Sequence, residues 1–215
     1  LSALANGALT LTADATNSGG NPVARFSTTL TQDQTAPAGY SATFDQDPII
    51  TSTETAVSFT FAGAETGAQY DYTIASDGGG ADVTGNGTIA TASDQITGID
   101  VSGLGDGTLT LSVVLTDAAG QAGSPAYDTS TKDTARPTVT LAGPTEAQSG
   151  AFTVTLTFSE SVTGLAQSDL SLVDGTASGL SGSGTSYSVT VTPDHDGTVI
   201  ITLPEDSAIN GGGNG

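Results

Sequence analysis

Acidic side chains are the residues of this chain that could do chemistry. It has 23 Asp and Glu residues against three basic residues and one histidine, and its formal charge is −20. Carboxylates are hard oxygen ligands and suit Ca²⁺, which takes about six to eight oxygens from irregular loops. The near absence of Cys and His argues against a transition-metal site. Two interpretations of the charge stay open: divalent-cation sites, or a solvated surface suited to a salty medium.

The same charge excludes two classes of partner. Binding to nucleic acid or to an anionic membrane depends on Lys and Arg meeting phosphate, and a surface this acidic repels both. No apolar run approaches the roughly 20 residues needed to span a bilayer, so we predict no membrane insertion in this fragment. The chain has no cysteine, which excludes disulfides and thiolate metal sites.

The sequence shows no catalytic apparatus. His195 is the only histidine, and without a G-x-S-x-G motif a Ser-His-Asp triad is not predicted. The stretch from Asp194 to Gly197 resembles the opening of a calcium loop. It lacks the later ligands and the closing Glu of an EF-hand, which favours a turn. We therefore predict no catalytic residue, no cofactor-binding residue and a non-enzymatic protein.

An internal repeat organises the chain. The stretch Val101–Pro137 follows the pattern of Leu1–Pro37 at a shift of 100 residues without a gap. Repetition at a fixed period indicates a tandem array of modules. We predict three units: residues 1–34, the last two strands of a partial module; 35–133, a complete module; and 134–215, a module lacking its last strand.

Short stretches of alternating apolar and polar residues indicate β-strands throughout. Ala56–Ala62 and Phe152–Phe158 each place aromatic and aliphatic side chains on one face, which is the period of a half-buried strand. Asn86-Gly87 is a strong hairpin signal and predicts a small hairpin between residues 82–84 and 88–90. A complete module carries about seven strands, as in an immunoglobulin-like sandwich. We predict an all-β fold of tandem immunoglobulin-like Greek-key β-sandwiches arranged end to end.

Such a sandwich gathers the acidic residues at its two poles. The B–C and F–G loops should lie beside the incoming linker, and the A–B and E–F loops beside the outgoing linker. The predicted ligands at the junction of modules one and two are Asn6, Asp33, Glu65 and Asp117. Those at the junction of modules two and three are Asp106, Asp133, Glu160 and Asn210. Further candidates are Asp45 and Asp47 in the A–B loop of module two, and Asp169 near the B–C loop of module three.

Crowded carboxylates repel one another unless a cation lies between them. We therefore predict several Ca²⁺ ions at the module junctions, where each ion would bridge two modules and stiffen the linker. The alternative is that these Asp and Asn residues only stabilise turns, which both types do well.

Several segments resemble a known family. The linkers QDQTAP and KDTARP, the F–G loop TDAAGQ, and the blocks AVSFTFAGAE and TLTFSESVTG resemble bacterial immunoglobulin-like repeats of large secreted or cell-surface adhesins, including the extender modules of RTX-type adhesins. The resemblance covers essentially the whole chain. It implies non-enzymatic, extracellular stalk repeats of a bacterial surface adhesin, whose partners are neighbouring repeats of the same polypeptide. Many such repeats are spacers, and many bind calcium at their junctions.

Two other functions remain open at this point. The chain could be a structural subunit of an extracellular filament or surface layer, in which the incomplete last module accepts a strand from an identical subunit. It could also be an accessory module of a secreted hydrolase.

Overall fold

The computed structural model describes residues 6–215, which form strands and loops without any α-helix. Within this part of the chain no helix has the length and apolar character that a membrane crossing needs. The first module is represented by one antiparallel hairpin. Its strands are β1 (Gly7–Ala13) and β2 (Phe26–Gln32), in continuous register from Gly7↔Gln32 to Ala13↔Phe26.

The second module is a two-layer sandwich of seven strands. One sheet has the order β3-β4-β7 and the other β6-β5-β8-β9. In chain order these are strands A, B, C, C′, E, F and G of an immunoglobulin-like fold, which confirms the predicted fold class. The bounds are β3 Ser41–Phe44, β4 Val57–Ala62, β5 Gln69–Ser76, β6 Val83–Thr88, β7 Gln95–Ile99, β8 Gly107–Thr116 and β9 Ala126–Lys132.

Alternate side chains along the strands point inward and form the core between these two sheets. Phe59 and Phe61 on β4 pack against side chains of the opposite sheet, and Leu109 and Leu111 on β8 are fully buried. Burying side chains of this size stabilises a fold by about 1.5–3 kcal/mol each. A core of this extent explains how the module folds without disulfides.

The hairpin predicted at Asn86-Gly87 is wrong. Residues 83–88 form one continuous strand, β6, which pairs with β5 along its whole length. The glycines serve packing: a Cβ at Gly85 would lie 2.5 Å from the Tyr72 ring, and one at Gly87 would lie 2.6 Å from the Tyr70 hydroxyl. Each tyrosine ring lies across a glycine of the neighbouring strand, so glycine is required there for close approach and not for a turn.

The third module repeats the plan with shorter C and F strands. Its bounds are β10 Val139–Ala142, β11 Phe152–Thr163, β12 Ser171–Val173, β13 Gly175–Pro193, β14 Ile200–Thr202 and β15 Ile209–Asn210, with a 3₁₀ turn at Gln167–Asp169. The sheet β10-β11-β13 also carries β15, and β12 pairs with β14. Leu156, Tyr187, Val189 and Val191 form the centre of the core.

Loops gather at the two ends of the second module as the topology requires. In the A–B loop, Ile49 donates its N–H to Thr131 and accepts from the N–H of Asp133. We call this end, beside the outgoing linker, the downstream pole. The opposite end carries the F–G loop of residues 117–121 and lies beside the incoming linker. We call it the upstream pole.

Candidate functional site: the junctions between modules

Each module has a five-residue F–G loop, and two of these three loops lie at the module junctions. The three loops are NSGGN at 17–21, DAAGQ at 117–121 and NGGGN at 210–214. In every loop the first side chain accepts hydrogen bonds from the backbone N–H groups two and four residues ahead, which is an Asx-type turn. The distances are 2.9 and 3.0 Å to Asn17 Oδ1, 2.8 and 2.8 Å to Asp117 Oδ1, and 3.0 and 2.9 Å to Asn210 Oδ1.

The fourth residue of each loop explains how the turn closes. Gly20, Gly120 and Gly213 have φ values of 79°, 85° and 84°, a left-handed conformation that glycine adopts without steric cost. The fourth N–H donates back to the first carbonyl in all three loops, at 3.0–3.1 Å. The loops are therefore closely similar in backbone structure, and differences between them lie in their side chains.

The last residue of the loop fastens the module to the preceding linker. Gln121 Nε2 donates to the backbone carbonyl of Asp33 at 2.8 Å, and Asn214 Nδ2 donates to that of Asp133 at 2.7 Å. The linker carboxylates also match, since Asp33 Oδ1 and Asp133 Oδ1 each accept the N–H two residues ahead, at 2.9 and 3.1 Å. The two junctions thus share one pattern of contacts.

The E–F region of the preceding module completes each junction. At the first, Asn6 Oδ1 accepts the N–H of Gln34 at 2.8 Å and its Nδ2 donates to Asp33 Oδ1 at 3.1 Å. At the second, Asp106 accepts the N–H and the hydroxyl of Thr134 at 3.0 and 2.9 Å. The structure therefore brings Asn6 together with Asp33, and Asp106 to the start of the second linker.

Asp117 and Asn210 occupy the same loop position but have different surroundings. Asp117 is 5% exposed, and its Oδ2 is buried without a hydrogen-bond partner among the described residues. Asn210 is 4% exposed. Its Nδ2 donates toward Asp133 Oδ2 at 3.4 Å, the carbonyl of Ala135 at 3.1 Å and Glu160 Oε2 at 3.3 Å.

Asp45, predicted at the downstream pole, is held as a hydrogen-bond acceptor. It accepts from Ser58 Oγ at 2.6 Å, Thr60 Oγ1 at 2.7 Å and Gln95 Nε2 at 2.8 Å. Burial raises the pKa of Asp45, but these three hydrogen bonds together outweigh it and hold the pKa below its ordinary value.

Three further predicted ligands lie apart from the linker contacts described above. Asp47 Oδ1 accepts the N–H of Thr131 at 3.0 Å, within the second module. Asp169 Oδ2 accepts the N–H of Ala166 at 2.8 Å at the start of the 3₁₀ turn. Glu65 is exposed, and no hydrogen bond from residues 6–215 reaches its carboxylate.

Acidic side chains alone do not make a compact metal cluster in this structure. Among residues 6–215, no group of three His, Cys, Asp or Glu side chains has the spacing to hold a metal ion. An ion at a junction would therefore need backbone carbonyl and amide oxygens beside one or two carboxylates, which Ca²⁺ accepts.

Sequence reasoning missed three residues that shape the poles. Gln121 and Asn214 fasten the loops to the linkers, and their signal is the amide side chain that closes each five-residue loop. Lys132 is the third. It is 3% exposed, and its Nζ contacts the Leu104 carbonyl at 2.6 Å and Glu54 Oε2 at 2.9 Å. No motif marks Lys132, because its equivalent in the first repeat is Gln32.

The fold and its loop-built junctions define tandem immunoglobulin-like repeats. Residues 133–215, which span the third module, match the family model of the bacterial Ig-like domain. No curated protein matches the chain.

The solved structures that are similar to this chain include the following two. One is a tetra-tandem repeat in the extending region of a large adhesion protein, with 23% identity and a TM-score of 0.43 over 94% of this chain. The other is a chitinase from Bacillus thuringiensis, with 15% identity and a TM-score of 0.31 over 85% of this chain. The chain spans 49% of the first structure and 30% of the second.

Proposed function

We propose that these modules are non-enzymatic stalk repeats on the outside of a bacterial cell, held in line by Ca²⁺ at their junctions. The observation that carries this proposal is the repetition of the junction contacts. The same loop, the same amide-to-carbonyl hydrogen bond and the same linker turn occur at Asp33 and at Asp133. A junction that recurs with fixed contacts sets a fixed angle between modules, which a spacer requires and a flexible tether lacks.

The charge balance supports a cation at the first junction. The chain has three basic residues, and each is engaged elsewhere: Arg25 with Asp14, Lys132 with Glu54 and Arg136 with Asp206. None of these ion pairs includes Asp33 or Asp117. A buried carboxylate oxygen without a partner is costly, so an ion from solution would stabilise this junction.

Small-angle scattering and calorimetry test the proposal on the 215-residue chain. We expect calorimetry to detect Ca²⁺ binding. We also expect the pair-distance distribution from scattering to indicate a narrower range of inter-module arrangements in millimolar Ca²⁺ than in EDTA. Mg²⁺ is the control, because it prefers a smaller octahedral shell and retains its water. Scattering profiles that coincide in Ca²⁺ and EDTA, together with no heat of binding, would show that calcium does not align these modules.

A further inference from the structure

The two junctions differ at the first position of the F–G loop, which is a carboxylate in one and an amide in the other. Asp117 and Asn210 hold the same backbone hydrogen bonds through Oδ1. Their second atoms, the oxygen Oδ2 and the amino nitrogen Nδ2, have opposite requirements. An ionised carboxylate oxygen only accepts hydrogen bonds, and an amide nitrogen only donates.

The orientation of the Asn210 amide is fixed by its neighbours. Oδ1 accepts the N–H groups of Gly212 and Asn214, at 3.0 and 2.9 Å, so the oxygen cannot exchange places with the nitrogen without losing both. Nδ2 therefore faces three oxygens, from Asp133, Ala135 and Glu160. One amino group joins the loop, the linker and strand β11.

Asp117 Oδ1 makes the matching hydrogen bonds at the first junction, so Oδ2 holds the position in its loop that Nδ2 of Asn210 holds in the other. The residues of the first linker that correspond to Asp133 and Ala135 are Asp33 and Thr35, and neither a carboxylate nor a backbone carbonyl can donate a hydrogen bond. Asp117 Oδ2 is buried and has no partner among residues 6–215. A carboxylate oxygen buried without a donor is costly, and a nearby cation favours its charged form.

The third residue of the loop also differs between the two junctions. At the second junction this residue is Gly212, and a Cβ there would lie 2.9 Å from Asp133 Oδ2, closer than real Cβ contacts. At the first junction the residue is Ala119, which carries that Cβ. Gly212 thus avoids a close contact with the second linker, while Ala119 carries a methyl group at the same position of the first loop.

We propose that the amino group of Asn210 takes, at the second junction, the place that a divalent cation takes beside Asp117 at the first. The first junction then depends on Ca²⁺ and the second does not. This inference rests on the proposed function for its cation, and it assigns to one chain two kinds of joint that respond differently to calcium.

Four forms of the 215-residue chain test it: the native sequence, Asp117→Asn, Asn210→Asp and the double variant Asn210→Asp with Gly212→Ala. Hydrogen exchange of two equivalent amides reports each joint, the N–H of Thr35 at the first and that of Ala135 at the second. In the native chain we expect EDTA to speed exchange at Thr35 by about tenfold, the factor for one lost ion contact or charged hydrogen bond. Exchange at Ala135 should not change.

The substitutions should switch the calcium dependence of the two joints. Asp117→Asn should lose one Ca²⁺ in calorimetry and keep Thr35 protected in EDTA. The double variant should gain one Ca²⁺ and lose protection of Ala135 in EDTA. Comparison of Asn210→Asp alone with the double variant separates the effect of the added carboxylate from the effect of the added methyl group at residue 212. Far-UV circular dichroism checks that every form is folded.

Different failures point to different causes. If EDTA speeds exchange at the Ala135 amide as much as at the Thr35 amide in the native chain, the inference is wrong. The proposed function, with Ca²⁺ at both junctions, would then stand. If no form binds Ca²⁺ but Asp117→Asn protects Thr35, the proposed calcium function is wrong and the amide still stabilises the joint. If Asp117→Asn leaves Thr35 unprotected in EDTA, the amide does not replace an ion and the inference is overturned.

Discussion

Acidic residues occur at both poles of the second module, but their hydrogen-bond partners differ. At the downstream pole Asp45 accepts three hydrogen bonds from side chains and Asp47 accepts a backbone N–H. At the upstream pole Asp117 accepts two backbone N–H groups through one oxygen and leaves the other buried without a partner among the described residues. Whether the protein satisfies a carboxylate thus depends on which donors surround it, and not on how many carboxylates share a pole.

The neighbouring strands explain the difference. Asp45 lies just after β3, where Ser58 and Thr60 of β4 and Gln95 of β7 point toward the same face. Asp117 opens a loop whose backbone donors are taken by its Oδ1, and its Oδ2 has no donor among the described residues. Protein donors therefore satisfy Asp45 and Asp47 at the downstream pole, and they leave one oxygen of Asp117 unsatisfied at the upstream pole.

The largest expected effect is at the downstream pole, on replacing Lys132 by methionine. The change leaves Glu54 and the Leu104 carbonyl without their partner, and it should lower the free energy of unfolding of the second module by about 3 kcal/mol, the low end for a broken buried pair. Four of the five tyrosines lie in residues 35–133, so tyrosine fluorescence in denaturant follows this module.

The loss in Lys132→Met should be equal in Ca²⁺ and in EDTA if the downstream pole works without metal. Lys132→Gln is the matched control, because the first repeat carries Gln32 at this place, and it should recover part of the loss. A loss that appears only in Ca²⁺ would break the contrast between the poles.

The next effect is at Asp117. Asp117→Ala removes both hydrogen bonds that close the F–G loop and should cost about 2 kcal/mol in Ca²⁺, at about 1 kcal/mol for each bond. The loss should be smaller in EDTA, because the native carboxylate then holds an unpartnered oxygen. Denaturation of the alanine variant and of Asp117→Asn, each with and without Ca²⁺, measures this difference. Equal losses in both conditions would mean that Asp117, like Asp45 and Asp47, does not depend on Ca²⁺.

Patterns in the sequence predicted the all-β, immunoglobulin-like fold. The alternation at Ala56–Ala62 is visible in neighbouring residues alone, and the repeat of Asp33 as Asp133 is visible when the chain is aligned with itself at a shift of 100 residues. The sequence did not predict the donors that satisfy Asp45, because Ser58, Thr60 and Gln95 reach it only after two strands pair. It also suggested a hairpin at Asn86-Gly87, where cross-strand tyrosine packing overrides the local turn preference.

A smaller effect is expected at Asp45. Asp45→Asn replaces one acceptor oxygen by an amino group that faces hydroxyl and amide donors, and it should cost about 1 kcal/mol at neutral pH, since the site is exposed and screened. The loss should be the same in Ca²⁺ and in EDTA. A loss that grows when Ca²⁺ is added would make Asp45 a ligand.

The pH dependence of that loss is the smallest effect and the sharpest test of the downstream pole. Folding lowers the pKa of Asp45 from its ordinary 3.8, because the hydrogen bonds from Ser58, Thr60 and Gln95 outweigh burial. A lowered pKa means that folding favours the ionised form, so the stabilisation is full above the ordinary pKa and falls as pH drops through the folded value. The gap between native and Asp45→Asn unfolding energies should therefore narrow from pH 6 to pH 3, as measured by denaturation in EDTA. A gap that stays constant across this range would mean that the carboxylate charge contributes nothing there, and that Asp45 is only one acceptor among several.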